Sequence, residues 1–108
     1  MSDLEEELAL HMRAVGLPKP EREVEFAKAH FKRNWRFDFC WPAYMIAAEV
    51  DGGTNYKSRH TSRKGFEDDC VKGNMAAELG WRVLHFTADQ VHSGYAIDTL
   101  ERIIGRLA

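Results

Sequence analysis

Asp38, Glu49 and Asp51 are the residues whose types and spacing suggest chemistry. In "RFDFCWPAYMIAAEVDGG", residues 36 to 53, an apolar run is interrupted by an aspartate between two phenylalanines and closes on Glu-x-Asp-Gly-Gly. Alternation over Trp35 to Trp41 predicts Phe37, Phe39 and Trp41 on one face of a strand, with Arg36, Asp38 and Cys40 on the other. Beyond a turn at Pro42 to Tyr44, Ile46, Ala48 and Val50 form one face of a second strand, opposite Met45, Ala47, Glu49 and Asp51. A hairpin centred on Ala43 and Tyr44 sets Asp38 opposite Glu49. Directly opposed side chains have Cβ atoms roughly 5 Å apart, and like charges there repel. With Asp51 two positions along on the same face, three carboxylates share one small area. A divalent cation stabilises such a group, because hard cations take oxygen ligands. The alternative is that nearby arginines, Arg36 above all, neutralise it as ordinary surface ion pairs.

The elements that position this hairpin follow from periodicity. A helix is expected from Ser2 or Asp3 to Val15, with Leu4, Leu8, His11, Met12 and Val15 on its stripe, stopped by Gly16 and kept from resuming by Pro18 and Pro20. A short strand over Arg22 to Ala27 precedes the hairpin. A helix from Lys64 to Leu79 is expected to turn Phe66, Cys70, Val71, Met75, Ala76 and Leu79 inward, and "WRVLHF", residues 81 to 86, follows as a strand. The unit from Asp51 through that helix to Trp81 implies parallel pairing with a right-handed crossover. Thr87 and Gln90 have capping-box spacing, and a last helix from Ser93 to Leu107 buries Ile97, Leu100, Ile104 and Leu107. The order α-β-β-β-α-β-α predicts an α/β (α+β) fold, a mixed sheet flanked by helices.

A chain of 108 residues closes one core, so one domain over residues 1–108 is expected. No apolar stretch approaches the length of a bilayer span, and the acidic start is unlike a cleaved signal, so a soluble, cytoplasmic protein is expected. Cys40 and Cys70 sit inside regular elements and lack second ligands at zinc spacing, which argues against both a disulfide framework and a zinc site. The net charge of -2 conceals a basic middle. Residues 26 to 64 hold Lys28, Lys32, Arg33, Arg36, Lys57, Arg59, Arg63 and Lys64 against only Asp38, Glu49 and Asp51. That distribution fits either a polyanion site or a solvated basic face.

The hairpin ending in Glu-x-Asp, the helix and parallel strand after it, and the stretches "RFDFCWP", "IAAEVDGG" and "LGWRVLHF" together resemble the PD-(D/E)XK nuclease superfamily. More closely they resemble its small very-short-patch-repair-like branch, which includes phage-encoded and prophage-encoded members. The resemblance covers residues 22 to 87 and implies a restriction-endonuclease-like core. It implies a metal-dependent DNA endonuclease using Mg²⁺ or Mn²⁺, working in a bacterial or phage-infected cytosol. Asp38 would be the central metal ligand, Glu49 the second, and the Val50 carbonyl the third. Asp51 stands where the superfamily has lysine, and would bind a second metal or orient the attacking water. Lys72 is the candidate for the migrated lysine; its alternative is an ion pair with Asp68 or Asp69.

The resemblance also implies that a first-helix glutamate completes the metal site, and Glu7, about 60° from the centre of the apolar stripe, is a better candidate for it than Glu5 or Glu6; its alternative is an exposed helix acid. His60 would contact the scissile phosphate or assist the leaving group. Arg33, Arg36, Lys57, Arg59, Arg63 and Lys64 would contact the DNA backbone, giving affinity without sequence information. So small a chain is expected to dimerise or to use a partner protein for recognition. Two other classes fit the same residues: a nuclease-like fold that binds nucleic acid without cutting it, and a small interaction or inhibitor protein.

Overall fold

The computed structural model describes residues 2–31, 34–51 and 63–108. Helix α1 (Asp3–Ala14) begins where the Ser2 hydroxyl accepts the Glu5 amide at 3.1 Å, and Asp3, Glu5 and Glu6 set negative charge at its positive end. Gly16, at φ +73°, reverses the chain, after which the Leu17 amide donates back to the Met12 carbonyl at 3.1 Å. Leu8, Ala9 and Met12 are buried, whereas Val15, expected on the same stripe, falls in the reversal and is exposed.

Strands β1 (Glu21–Val24), β2 (Phe37–Trp41), β3 (Ile46–Asp51) and β4 (Arg82–Thr87) form one mixed sheet in that spatial order. The first two pairings are antiparallel, and β3 runs parallel to β4. The chain leaves β1 earlier than alternation predicts. Phe26 and Ala27 are drawn under the sheet, where Phe26 stacks on Phe37 at 4.0 Å between ring centroids, and a short helix α2 (Lys28–Phe31) follows. A 3-10 turn over Pro42–Tyr44 closes the hairpin, and Met45 takes a left-handed conformation at φ 54°. The hairpin register pairs Phe39 with Ala48, Cys40 with Ala47 and Trp41 with Ile46, as expected from a turn centred on Ala43 and Tyr44.

One face of the sheet packs Phe39, Trp41, Ile46, Ala48 and Phe86 against Leu8 and Met12 of α1 and against Leu100 and Ile104 of α5 (Tyr95–Gly105). The other packs Phe37, Cys40 and Ala47 against Phe26, Ala27 and Ala76. Phe37 is therefore not on the face of Phe39 and Trp41. Alternation breaks at Asp38, whose carboxylate accepts the Val50 amide at 2.8 Å, and the strand turns Phe37 to the opposite side. Both cysteines are free, Cys40 buried and Cys70 exposed.

The crossover helix α3 (Arg63–Glu78) departs most from its expected orientation. Ala76 is its buried residue, while Phe66 is 61% exposed and Val71 41%, and Cys70 also faces solvent. The apolar residues of α3 are interspersed with Asp68, Asp69 and Lys72, so their spacing fixes the helix phase weakly. Ala76 and the partly buried Leu79 pack, as expected, on the cluster that holds Phe26, Phe37 and Cys40. After β4, Thr87 and Gln90 form the expected capping box of α4 (Ala88–His92). Helix α5 stops short of its predicted end and leaves Leu107 exposed. Among the described residues no helix is long and apolar enough to cross a membrane.

Leu100 is fully buried and Leu107 is 47% exposed. Leu100→Ala is expected to cost about 2–5 kcal/mol in urea unfolding, and Leu107→Ala no more than about 0.5 kcal/mol.

Candidate functional site

The end of β2 holds Asp38 one step beyond the paired residues of the hairpin, level with Glu49. The Val50 N–H donates to Asp38 Oδ2 at 2.8 Å and fixes the carboxylate between strands. On one side stands Glu5, from the first turn of α1, and on the other Glu23, from the edge strand. Carboxylate oxygens of Glu5, Glu23 and Asp38 all lie within 4.8 Å of one another. Glu23 reaches this position with a left-handed backbone, φ 54°, while its neighbours Arg22 and Val24 pair normally with Phe39 and Phe37. A non-glycine residue held there is strained by about 1–2 kcal/mol.

Burial pushes the Asp38 carboxyl up to about 6, against the pull of the Val50 N–H, and the negative charges of Glu5, Glu49 and Glu23 push in the same direction. Arg22 compensates in part. Its Nη2 lies 3.0 Å from Glu6 and 3.9 Å from Glu5, and its guanidinium sits over the Phe39 ring. Glu5 Oε1 is nevertheless buried without a hydrogen-bond donor. Converging carboxylates, one with suppressed ionisation and one with an orphaned oxygen, suit a hard divalent cation as oxygen donors.

Glu49 and Asp51 lie on the α3 side of the sheet. Lys72 Nζ reaches across from α3 to Glu49 Oε2 at 2.7 Å and also donates to the Arg36 carbonyl at 3.0 Å. Lys72 thus pairs with Glu49, a contact between side chains only 18% and 14% exposed. The pair forms one wall of a cleft of about 140 Å³, with Asp51, Asp69, Gly73 and His85 also lining it. His85 Nδ1 stands 3.9 Å from Asp51 Oδ2, and His85 is level with Glu49 in the parallel ladder.

The three hairpin carboxylates therefore do not share one face. Glu49 and Asp51 open onto the cleft, while Asp38 turns toward Glu5 and Glu23, because the Val50 amide captures its side chain. Glu7 lies apart from both groups. Its carboxylate takes His92 Nδ1 at 2.8 Å and stands 3.8 Å from His11 Nε2, tying α1 to α4. The first-helix glutamate beside Asp38 is Glu5, two residues earlier. Arg36 neutralises none of the three hairpin acids. It binds Glu25 through Nη2 at 2.8 Å, and this bond holds the Glu25 carboxyl below its usual range and raises Arg36. Arg63 pairs with Glu67 on the surface of α3, and Lys64 is exposed beside it. Arg33, Lys57, Arg59 and His60 lie outside the described residues.

Glu23 and His85 escaped the sequence reading, and Glu5 was passed over in favour of Glu7. His85 was legible in principle, since a strand parallel to Glu-x-Asp brings one residue level with Glu49. Glu23 depends on a backbone conformation that no pattern of side chains announces.

Below pH 4 Asp38 is protonated in both folded and unfolded chains. Between about 4 and 6 the folded chain retains a proton that the unfolded chain has released, so stability falls as pH rises through this window. Asp38→Asn keeps an acceptor for Val50 and is expected to be more stable than the native chain at pH 7.5 by at most about 2 kcal/mol after solvent screening, with no advantage at pH 4. Urea unfolding in EDTA at both pH values measures this. Lys72→Met leaves Glu49 without its cation and is expected to cost about 2–4 kcal/mol, of which adding Glu49→Gln restores at least half.

No family model matches the chain, and no solved structure matches it. Over 90 residues, 83% of its length, it is 31% identical to two proteins of Mycobacterium tuberculosis described as uncharacterized, MT2308 of strain CDC 1551 and Rv2248 of strain H37Rv. The chain spans 31% of the length of each of these relatives.

Proposed function

We propose that the chain is a metal-dependent DNA endonuclease hydrolysing phosphodiester bonds in branched, nicked or mismatched DNA. The observation that supports this reading most directly is the 2.7 Å contact between Lys72 and Glu49. The sequence has Asp51 where the superfamily it resembles has lysine, and an amine from the crossover helix meets the acid two residues before it. An acid and a lysine thus sit together at the end of the hairpin, next to a half-buried aspartate.

Asp38, Glu5 and Glu23 would hold Mg²⁺ or Mn²⁺, with Glu5 in the role expected of Glu7 and Glu49, expected as the second ligand, facing the cleft instead. A bound cation of this kind supplies Lewis acidity toward the phosphoryl oxygens. Lys72 pairs with Glu49 and presents a positive charge to a phosphate entering the cleft. The Asp51–His85 pair lies along the cleft where a water molecule or leaving oxygen would be oriented. Lys57, Arg59, Arg63 and Lys64, with Arg33, would carry the DNA backbone, and a second copy or a partner protein would extend the recognition surface. The bacterial or phage-infected cytosol belongs to the same reading.

One observation favours a second reading, that of a nucleic-acid binder without catalysis: Lys72 already neutralises Glu49. A panel of labelled duplex, nicked, mismatched and four-way DNA, incubated with Mg²⁺ or Mn²⁺, separates the two. Endonuclease activity predicts cleavage by the native chain and a loss of about 100-fold or more in Glu49→Ala. DNA binding without cation-dependent cleavage supports the binder, and cleavage that persists in Glu49→Ala contradicts the assigned site.

A further inference from the structure

A groove of about 290 Å³ runs between the second half of α1, the connection to β1, and β1 itself. Ala9, Met12 and Leu17 give it an apolar floor, and Arg13, Lys19 and Arg22 supply positive charge around it. Its wall is fixed in place. Trp41 Nε1 donates to the Pro18 carbonyl at 2.7 Å, and the Leu17 amide closes on Met12 at 3.1 Å. Arg13 and Lys19 are exposed, and no acid pairs with either among the described residues. Arg22 is held by Glu6, yet its Nε–H is buried with no acceptor.

An apolar floor with several cations around it suits a ligand that carries an apolar ring and a multiply charged anionic group. The volume is at the small end for ligand sites, about 300 Å³, and so admits one such unit. Arg22 links the groove to the acidic centre, because the same guanidinium approaches Glu5, which meets Asp38.

We infer that this groove receives a single unpaired nucleotide, its base against Met12 and Leu17 and its phosphate against Arg13 and Lys19. This deepens the endonuclease reading and rests on it for the identity of the strand: the substrate class becomes DNA with an unpaired nucleotide or single-stranded end beside the bond to be cut. The unit arrives either as a free mononucleotide or as part of a strand, and both carry the same base-and-phosphate chemistry.

Titrations in EDTA test the groove without any cleavage. The probes are thymidine 5′-monophosphate, a short single strand, the corresponding duplex, and inorganic phosphate, followed through the backbone amide resonances of Met12, Leu17 and Lys19. The mononucleotide is expected to shift these resonances, and phosphate alone to leave them in place. The single strand is expected to bind at least about tenfold tighter than the duplex. Arg13→Glu with Lys19→Glu is expected to lower single-strand affinity by about tenfold or more, while Arg106→Glu, at the far end of the chain, leaves it unchanged. Both altered side chains are exposed, so a native melting curve verifies that the double variant is folded. Equal binding of strand and duplex, equal shifts from phosphate alone, or unchanged affinity in the folded double variant overturns the inference. Nucleotide binding at the groove in a chain that cuts no DNA counts against the endonuclease reading and supports the groove. Cleavage with no binding here overturns the groove alone.

Discussion

The hydrogen bond from the Val50 amide to Asp38 is the constraint on which the rest of the site depends. It holds a carboxylate at the point where β2 leaves its pairing with β3, in a position too buried to be hydrated well. Glu5 and Glu23 converge on the same point, so the arrangement opposes folding at neutral pH. The strand alternation breaks there, and Phe37 passes to the opposite face, where it stacks on Phe26 and meets Trp81 edge-on. A hydrophobic contact on one face thus accompanies an acidic group on the other.

The end of the sheet consequently separates its charges. On the α1 side, acids outnumber their compensation, with Arg22 shared between Glu5 and Glu6. On the α3 side, Glu49 has its own lysine from the crossover helix, whose Ala76 and Leu79 pack on the core. On the same helix Phe66 and Val71 face solvent while Lys72 is turned inward. Asp51 and His85 extend the same side along the cleft. The two sides differ in how the central acid is met: Glu49 has an amine at 2.7 Å, whereas Asp38 takes a backbone N–H and faces two further carboxylates.

Much of the framework was legible in the sequence because local rules decide it. Ser2 caps α1, Gly16 ends it, and Thr87 with Gln90 starts α4, each through side-chain or backbone chemistry within a few residues. The hairpin register followed from the turn, and the parallel strand from the length of the crossover. What the sequence concealed depends on tertiary choices. Strict alternation carried Phe37 to the wrong face, because nothing local shows that Asp38 will take a backbone amide from the next strand. Apolar spacing placed Ala76 and Leu79 of α3 correctly on the core but also turned Phe66, Cys70 and Val71 inward, where the structure exposes them, and Lys72 of the same helix reaches Glu49, 23 positions earlier. Glu7 was preferred to Glu5 on helical angle alone, whereas His92 claims Glu7 from a helix at the other end of the chain.

The central claim is that the acids around Asp38 form a cation site, and calorimetric titration with Mn²⁺ tests it most directly. The account predicts saturable binding to the native chain at pH 7.5 and its loss in Asp38→Asn, a variant that retains the bond from Val50 and the fold. No binding to the native chain, or equal binding to the folded variant, would contradict it.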